Sequence, residues 1–238
     1  MQSEARPVTP SPMKAIVIGA SGGIGGALSD ALEARGGTVI RLSRRSSPPI
    51  DLLSDRSIEE AARAVAGHGP FDLVLIATGI LQGDGIAPEK SYRQLDGAAL
   101  EQVFRINAIG PAIVARHFVP LLRPTGRAIF AVLSARVGSI GDNRLGGWFA
   151  YRASKAALNQ IVRTLSIELA RTRPEALAIA LHPGTVDTAL SAPFQRGLAE
   201  GQLLTPQASA EYLLGTIEKL GPADSGGFFD YKGERITP

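Results

Sequence analysis

Short apolar runs alternate with amphipathic stretches from Lys14 to the end of the chain. Runs at 14–19, 38–43, 71–77, 126–134, 176–182 and 226–230 carry the apolar character expected of buried strands. Stretches at 23–35, 55–66, 98–123, 149–172 and 206–219 have apolar residues at helical spacing and predict helices. The clearest of these contains ASKAALNQIVRTLSIELA, Ala153 to Ala170, which is rich in Ala and Leu and has neither Gly nor Pro. Such alternation predicts an α/β fold: one doubly wound, mostly parallel sheet with helices on both faces. Ligands bind such sheets beyond the carboxyl ends of the strands. The stretches 135–149 and 189–205 are therefore the predicted functional loops.

A glycine cluster, Gly19, Gly22, Gly23, Gly25 and Gly26, separates the first strand-like run from the first helical stretch. Glycines there let the backbone turn tightly and approach a pyrophosphate, which the free N–H groups of the following helix attract. The spacing is G-x-x-x-G-x-G, over Gly19, Gly23 and Gly25. After the second strand-like run comes Leu42-Ser43-Arg44-Arg45, with no carboxylate. A carboxylate there would bind a ribose 2′-hydroxyl, whereas a guanidinium can fork onto a 2′-phosphate. Arg44 thus points to NADP(H).

Composition narrows the function classes. The chain has 238 residues, 45% hydrophobic and 20% charged, with a net charge of +3, which suits one domain with an ample core. We place that domain at 13–238 and read the polar, Pro-rich residues 1–12 as a disordered leader. Cysteine is absent, which fits a reducing compartment such as the cytoplasm. No apolar run approaches a membrane span. The arginines are scattered, which gives nucleic-acid binding little support. His68, His117 and His182 show no metal-ligand spacing.

Tyr151 and Lys155 stand four apart in the clearest helix, on one face. At ~4 Å and an effective dielectric of about 20, an ammonium favours a phenolate by about 4 kcal/mol. That corresponds to roughly three pKa units. The expectation is a phenol brought near neutrality, able to act as general acid or base.

The glycine turn and the Tyr151/Lys155 pair together resemble the short-chain dehydrogenase/reductase family. Further residues carry the resemblance: Asn107 in INAIG, Asp51-Leu52 after a third strand-like step, Gly79 after the run at 71–77, and HPGTVDT from His182 to Thr188. The segment LSARVGSIGDNRLGGWFAYRASKAALN resembles most the branch of C-factor-like and sniffer-type carbonyl reductases. The resemblance implies a Rossmann-type sheet and hydride transfer between nicotinamide and a carbonyl or alcohol. It implies a cofactor site of Gly19, Ser21, Gly23, Ile24, Gly25, Ser43, Arg44, Asp51, Leu52, Gly79, Tyr151, Lys155, Pro183, Gly184, Val186 and Thr188. It implies Tyr151 as proton donor, Lys155 as its partner and ribose ligand, and Asn107 as holder of a water.

The catalytic serine is ambiguous. The family's position, thirteen residues before the tyrosine, is Gly138, and about four extra residues stand within 142–147. Counting back from Gly138 reaches Ala135, and counting forward along the strand reaches Ser134. Ser134 is the choice here, with Ser139 in reserve. Trp148, Phe149 and the apolar residues of 189–201 suggest a moderately apolar substrate. Apolar residues around more than one face of the helices at 98–123 and 149–172 imply a homodimer or homotetramer. The competing readings are a signalling protein like C-factor and a non-catalytic dinucleotide sensor.

Overall fold

The computed structural model describes residues 12–83, 85–195 and 201–238. The expected leader, apart from Pro12, lies outside them. The main sheet contains β1 (Lys14–Ile18), β2 (Thr38–Leu42), β3 (Leu73–Ile76), β4 (Ile129–Leu133), β5 (Leu177–His182) and β8 (Phe228–Asp230). A separate small pair is formed by β6 (Thr185–Val186) and β7 (Leu203–Leu204). The helices are α1 (Gly23–Ala34), α2 (Asp55–Val65), α3 (Gly97–Phe104), α4 (Gly110–Phe118), α5 (Phe149–Thr172) and α6 (Pro206–Lys219).

All six main strands are parallel, in the order β2-β1-β3-β4-β5-β8. Alternate strand residues feed two cores. Ile16, Ile18, Phe130 and Val132 face α2, α4 and α5, packing with Ile58, Val114 and Leu158. Ala15, Val17, Ala131 and Leu133 face α1 and α6, packing with Leu28 and Leu213. The chain crosses from β1 to β2 on one side and returns to β3 on the other. That reversal opens a crevice at the carboxyl ends of β1 and β3, where ligands bind such sheets.

Three expectations need correction. No strand stands between β2 and α2 among the described residues, so Asp51 and Leu52 follow a turn and not a third strand step. The helix expected over 98–123 is interrupted: a π turn at Arg105–Ile109 separates α3 from α4. Asn107 supplies one cause by pairing with the backbone of Ile80 instead of lying passively on a helix face. Pro111, lacking an N–H, supplies another. Part of the loop expected over 189–205 is ordered as β7, paired with β6.

The helix starts differ in their caps. Ser54, Asp96 and Thr205 cap α2, α3 and α6 with their side chains. By contrast, α1 and α5 begin at Gly22 and Trp148 without a cap from their own N-cap side chain.

Candidate active site

Gly19 ends β1 with φ +93°, a conformation that L side chains rarely adopt. A Cβ at Gly25 would lie 2.2 Å from the Gly19 carbonyl oxygen. Gly25 therefore lies beneath the turn and allows α1 to approach it. Gly23 abuts the Thr188 methyl, where a Cβ would meet it at 2.9 Å. This contact joins the glycine turn to the Pro183–Thr188 segment. Ile24 packs against the core. The free N-terminus of α1 presents unpaired N–H groups, which suit an anion.

A crevice of about 390 Å³ opens beside this turn, lined by Gly19, Ser21, Ser43, Arg44, Asp51, Leu52, Thr78 and Gly79 among others. The structure thus brings together predicted cofactor residues from four separate segments. Ser43 accepts from the Arg45 N–H, and its own N–H donates to Ser46 Oγ. These bonds fix the tight turn that carries Arg44.

Gly79 is where the crevice meets the chemistry. A Cβ there would come within 3.4 Å of both Asn107 Oδ1 and Lys155 Nζ. Asn107, 1% exposed, accepts from the Ile80 N–H and donates to Ile80 O, both at 2.8 Å, and also donates to Ser154 Oγ. Both ends of its amide are engaged, so its first role is to clamp the loop after β3 to α5. Among the Pro183–Thr188 residues, Pro183 O accepts from Ser209 Oγ. Gly184, at φ +81°, packs against Leu204 and Tyr231, and Val186 is buried and pairs with β7.

The protonation expectation is overturned. Lys155 Nζ donates to Leu133 O at 2.9 Å and lies 5.8 Å from the Tyr151 ring centre. Burial lowers the Lys155 pKa to about 8 and pushes the Tyr151 phenol up to about 12. Desolvation outweighs the attraction between them, because the ammonium is itself desolvated and points at a carbonyl. The group that titrates near neutrality is Lys155. Tyr151 keeps its proton, as a general acid must.

The serines also differ from expectation. Ser134 Oγ donates to Asn159 Oδ1 at 2.7 Å and is 4% exposed. Asn159 lies on α5 about two turns beyond Tyr151, or about 12 Å along the axis. The strand's alternation turns Ser134 to the face under α5 that Phe130 and Val132 share, and Ser134 does not line the crevice. Ser139 Oγ donates to Thr237 O at 2.5 Å and accepts from the Asp142 N–H. Neither hydroxyl is brought to Tyr151. Gly138 packs on Lys155, where a Cβ would meet the Lys155 Cβ at 2.7 Å. No side chain fits at that position, whatever the count from the tyrosine.

Ser134→Ala is therefore expected to leave turnover within about threefold of wild type and to destabilise the fold. The loss should be about 1–3 kcal/mol, from the buried Asn159 oxygen left without its donor. Thermal melts beside steady-state rates check this; a large loss of turnover without a lower melting temperature would restore the catalytic role.

The sequence reading missed Glu89, which has no motif around it. Glu89 is 6% exposed. Both carboxylate oxygens accept from the Ala150 N–H at 3.3 Å, and its carbonyl accepts from the Trp148 N–H at 2.5 Å. It supplies the cap that α5 lacks. Trp148 itself is left-handed, φ 52° and ψ 46°, following Gly146 and Gly147 at φ 65° and 67°. For a bulky residue this costs roughly 1–2 kcal/mol. The indole meets the Tyr151 ring edge-on, centres 6.3 Å apart, and the Phe194 ring at 4.9 Å.

Comparison with known proteins places this geometry. Residues 19–218 match the family model described as Enoyl-(Acyl carrier protein) reductase. The C-signal of Myxococcus xanthus is 39% identical over 143 residues, 60% of this chain and 80% of that protein. The 1-hydroxy-2-glutathionyl-2-methyl-3-butene dehydrogenase of Rhodococcus sp. (strain AD45) is 30% identical over 225 residues, covering 90% and 94% of the two chains. The structure of NADPH-bound carbonyl reductase from chicken fatty liver superposes with a TM-score of 0.80 at 23% identity, covering 95% of this chain and 99% of that one.

Proposed function

The chain belongs to the short-chain dehydrogenase/reductase family, and from that premise we propose that it is an NADPH-dependent oxidoreductase acting on a carbonyl or alcohol of a moderately apolar small molecule. The observation that carries the proposal is the junction at Gly79. There Lys155 and Asn107 converge at the end of the Arg44-lined crevice, with Tyr151 one helical turn before Lys155. The NADPH-bound state of the chicken neighbour supports the choice of cofactor.

The residues present fit a dinucleotide. The turn at Gly19 leaves room for close backbone approach, α1 has no side-chain cap, and Ser43 and Arg44 line the crevice end. When bound, the nicotinamide supplies or takes the hydride. Tyr151 gives its proton to the carbonyl oxygen as negative charge develops there. Lys155 keeps an ammonium beside it and contributes to holding the cofactor ribose. Asn107 fixes the Gly79–Ile80 backbone that closes the crevice floor. Glu89 holds the start of α5, and with it the position of Tyr151.

A screen of NADPH oxidation against a carbonyl panel tests the activity. For the cofactor, NADPH is expected to bind more tightly than NADH, and Arg44→Asp to narrow or reverse the difference. Equal affinities in the unmodified protein would refute the assignment. A second reading, a signalling protein, draws on the name of the Myxococcus relative. Tyr151 and Lys155 favour the enzyme.

The assembly we propose is a homodimer or homotetramer. Of the apolar residues in the stretches 98–123 and 149–172, Val103, Val114, Phe118, Leu158 and Val162 are core residues. The exposed large apolar residues of these two stretches are Ile109, Phe149 and Ile167, at 41%, 38% and 45%, and a groove of about 580 Å³ between α4 and α5 is lined by Val119, Ile161 and Leu165 among others. Light scattering at micromolar concentration is expected to give at least a dimer mass; a monomer mass would refute this.

A further inference from the structure

Trp148 is the chain's single tryptophan, and the fold goes to some length to place it. Its backbone sits in the left-handed region after two left-handed glycines. Its N–H is held by Glu89 O, its carbonyl accepts from the Arg152 N–H at 2.8 Å, and Arg152 Nε donates to Gly147 O at 3.0 Å. A backbone pinned in a costly conformation next to Tyr151 points to a function for its side chain. The side chain stands between the Tyr151 ring and Phe194, which belongs to the short helical turn Ala192–Phe194 beyond the Pro183–Thr188 segment.

We propose that Trp148 determines substrate choice, offering its indole as a fixed wall for an aryl group attached to the reacting carbonyl. The proposal rests on the oxidoreductase reading and deepens it. A group bonded to a carbonyl that accepts the Tyr151 proton must lie beside Tyr151, and the indole is in ring contact with that residue. Aromatic rings pack on one another edge to face or offset, and gain more from this than an alkyl chain of equal size. The indole already packs in this way against Phe194, at 4.9 Å and 62°. Rigidity strengthens the preference, because an anchored ring loses little freedom when a substrate stacks on it.

The test compares benzaldehyde with heptanal, which have equal carbon number. Wild type is expected to favour benzaldehyde in kcat/KM. Trp148→Asn, which suits the left-handed backbone but removes the ring, should lower the benzaldehyde-to-heptanal ratio about tenfold. Trp148→Phe should restore most of the ratio, and NADPH affinity should stay unchanged in both. An unchanged ratio in Trp148→Asn that still binds NADPH would overturn the proposal. A readout free of turnover uses the wild-type protein itself. Emission from the single tryptophan should change saturably with benzyl alcohol and more weakly with 1-heptanol. No turnover of either aldehyde by wild type, with that saturable response present, would count against the reductase reading and leave the wall standing. No response to benzyl alcohol would overturn the wall itself.

Discussion

Tyr151→Phe should lower turnover by at least ~10²-fold, the lower end for losing general acid catalysis, while NADPH affinity hardly changes. The substitution keeps the ring that meets Trp148 at 6.3 Å and removes only the hydroxyl. The phenol, pushed up to about 12 by burial, carries at neutral pH the proton that reduction consumes. Its removal takes away the proposed proton donor, and Ser134 and Ser139 are engaged elsewhere. Steady-state rates on any carbonyl found by the screen, beside cofactor titrations, measure the split. Near-normal turnover would end the proposed mechanism.

Lys155→Met should produce opposite effects on activity and stability. Turnover and NADPH affinity should both fall, because one ammonium serves both. Stability at pH 7 should rise, by up to about 3 kcal/mol less the bond to Leu133 O. The folded-state pKa of Lys155, about 8, lies below the ordinary value of 10.5. Between those values the unfolded chain binds more protons, so the wild-type protein gains stability as pH rises from 8 to 10.5. Below 8 the full cost of the buried ammonium applies. The advantage of Lys155→Met should therefore be largest at pH 7 and shrink toward pH 10. NADPH affinity of the wild type should fall as pH rises through about 8, and this transition should persist in Tyr151→Phe. A variant less stable than wild type at pH 7 would show that the bond to Leu133 outweighs the desolvation of the charge.

Much of this arrangement was legible in the residues. Element order followed from local periodicity, and α5 and α6 occupy the predicted ranges 149–172 and 206–219. Local contrasts are sufficient there, because a helix's apolar spacing repeats within a few residues, and in α6 the Thr205 cap stands beside the first turn. The glycine turn was readable for the same reason. So was the side-by-side placement of Tyr151 and Lys155, which four-residue spacing imposes in any helix.

Tertiary structure alone decided the rest. Ser134 and Ala135 are neighbours in sequence, and only the packing of β4 under α5 gives the Ser134 hydroxyl to Asn159, twenty-five positions away. The pKa order of Tyr151 and Lys155 reverses a local estimate because desolvation sums over every segment packed around them. The break between α3 and α4 depends on Asn107 finding Ile80. Glu89 caps a helix that begins sixty residues later. Sequence determined what repeats over short distances: periodicity, turn glycines and the spacing within a helix. Burial and partner choice depend on segments that meet only when the chain folds, and those meetings set which groups are charged, which hydroxyls are free and which ring lines the site.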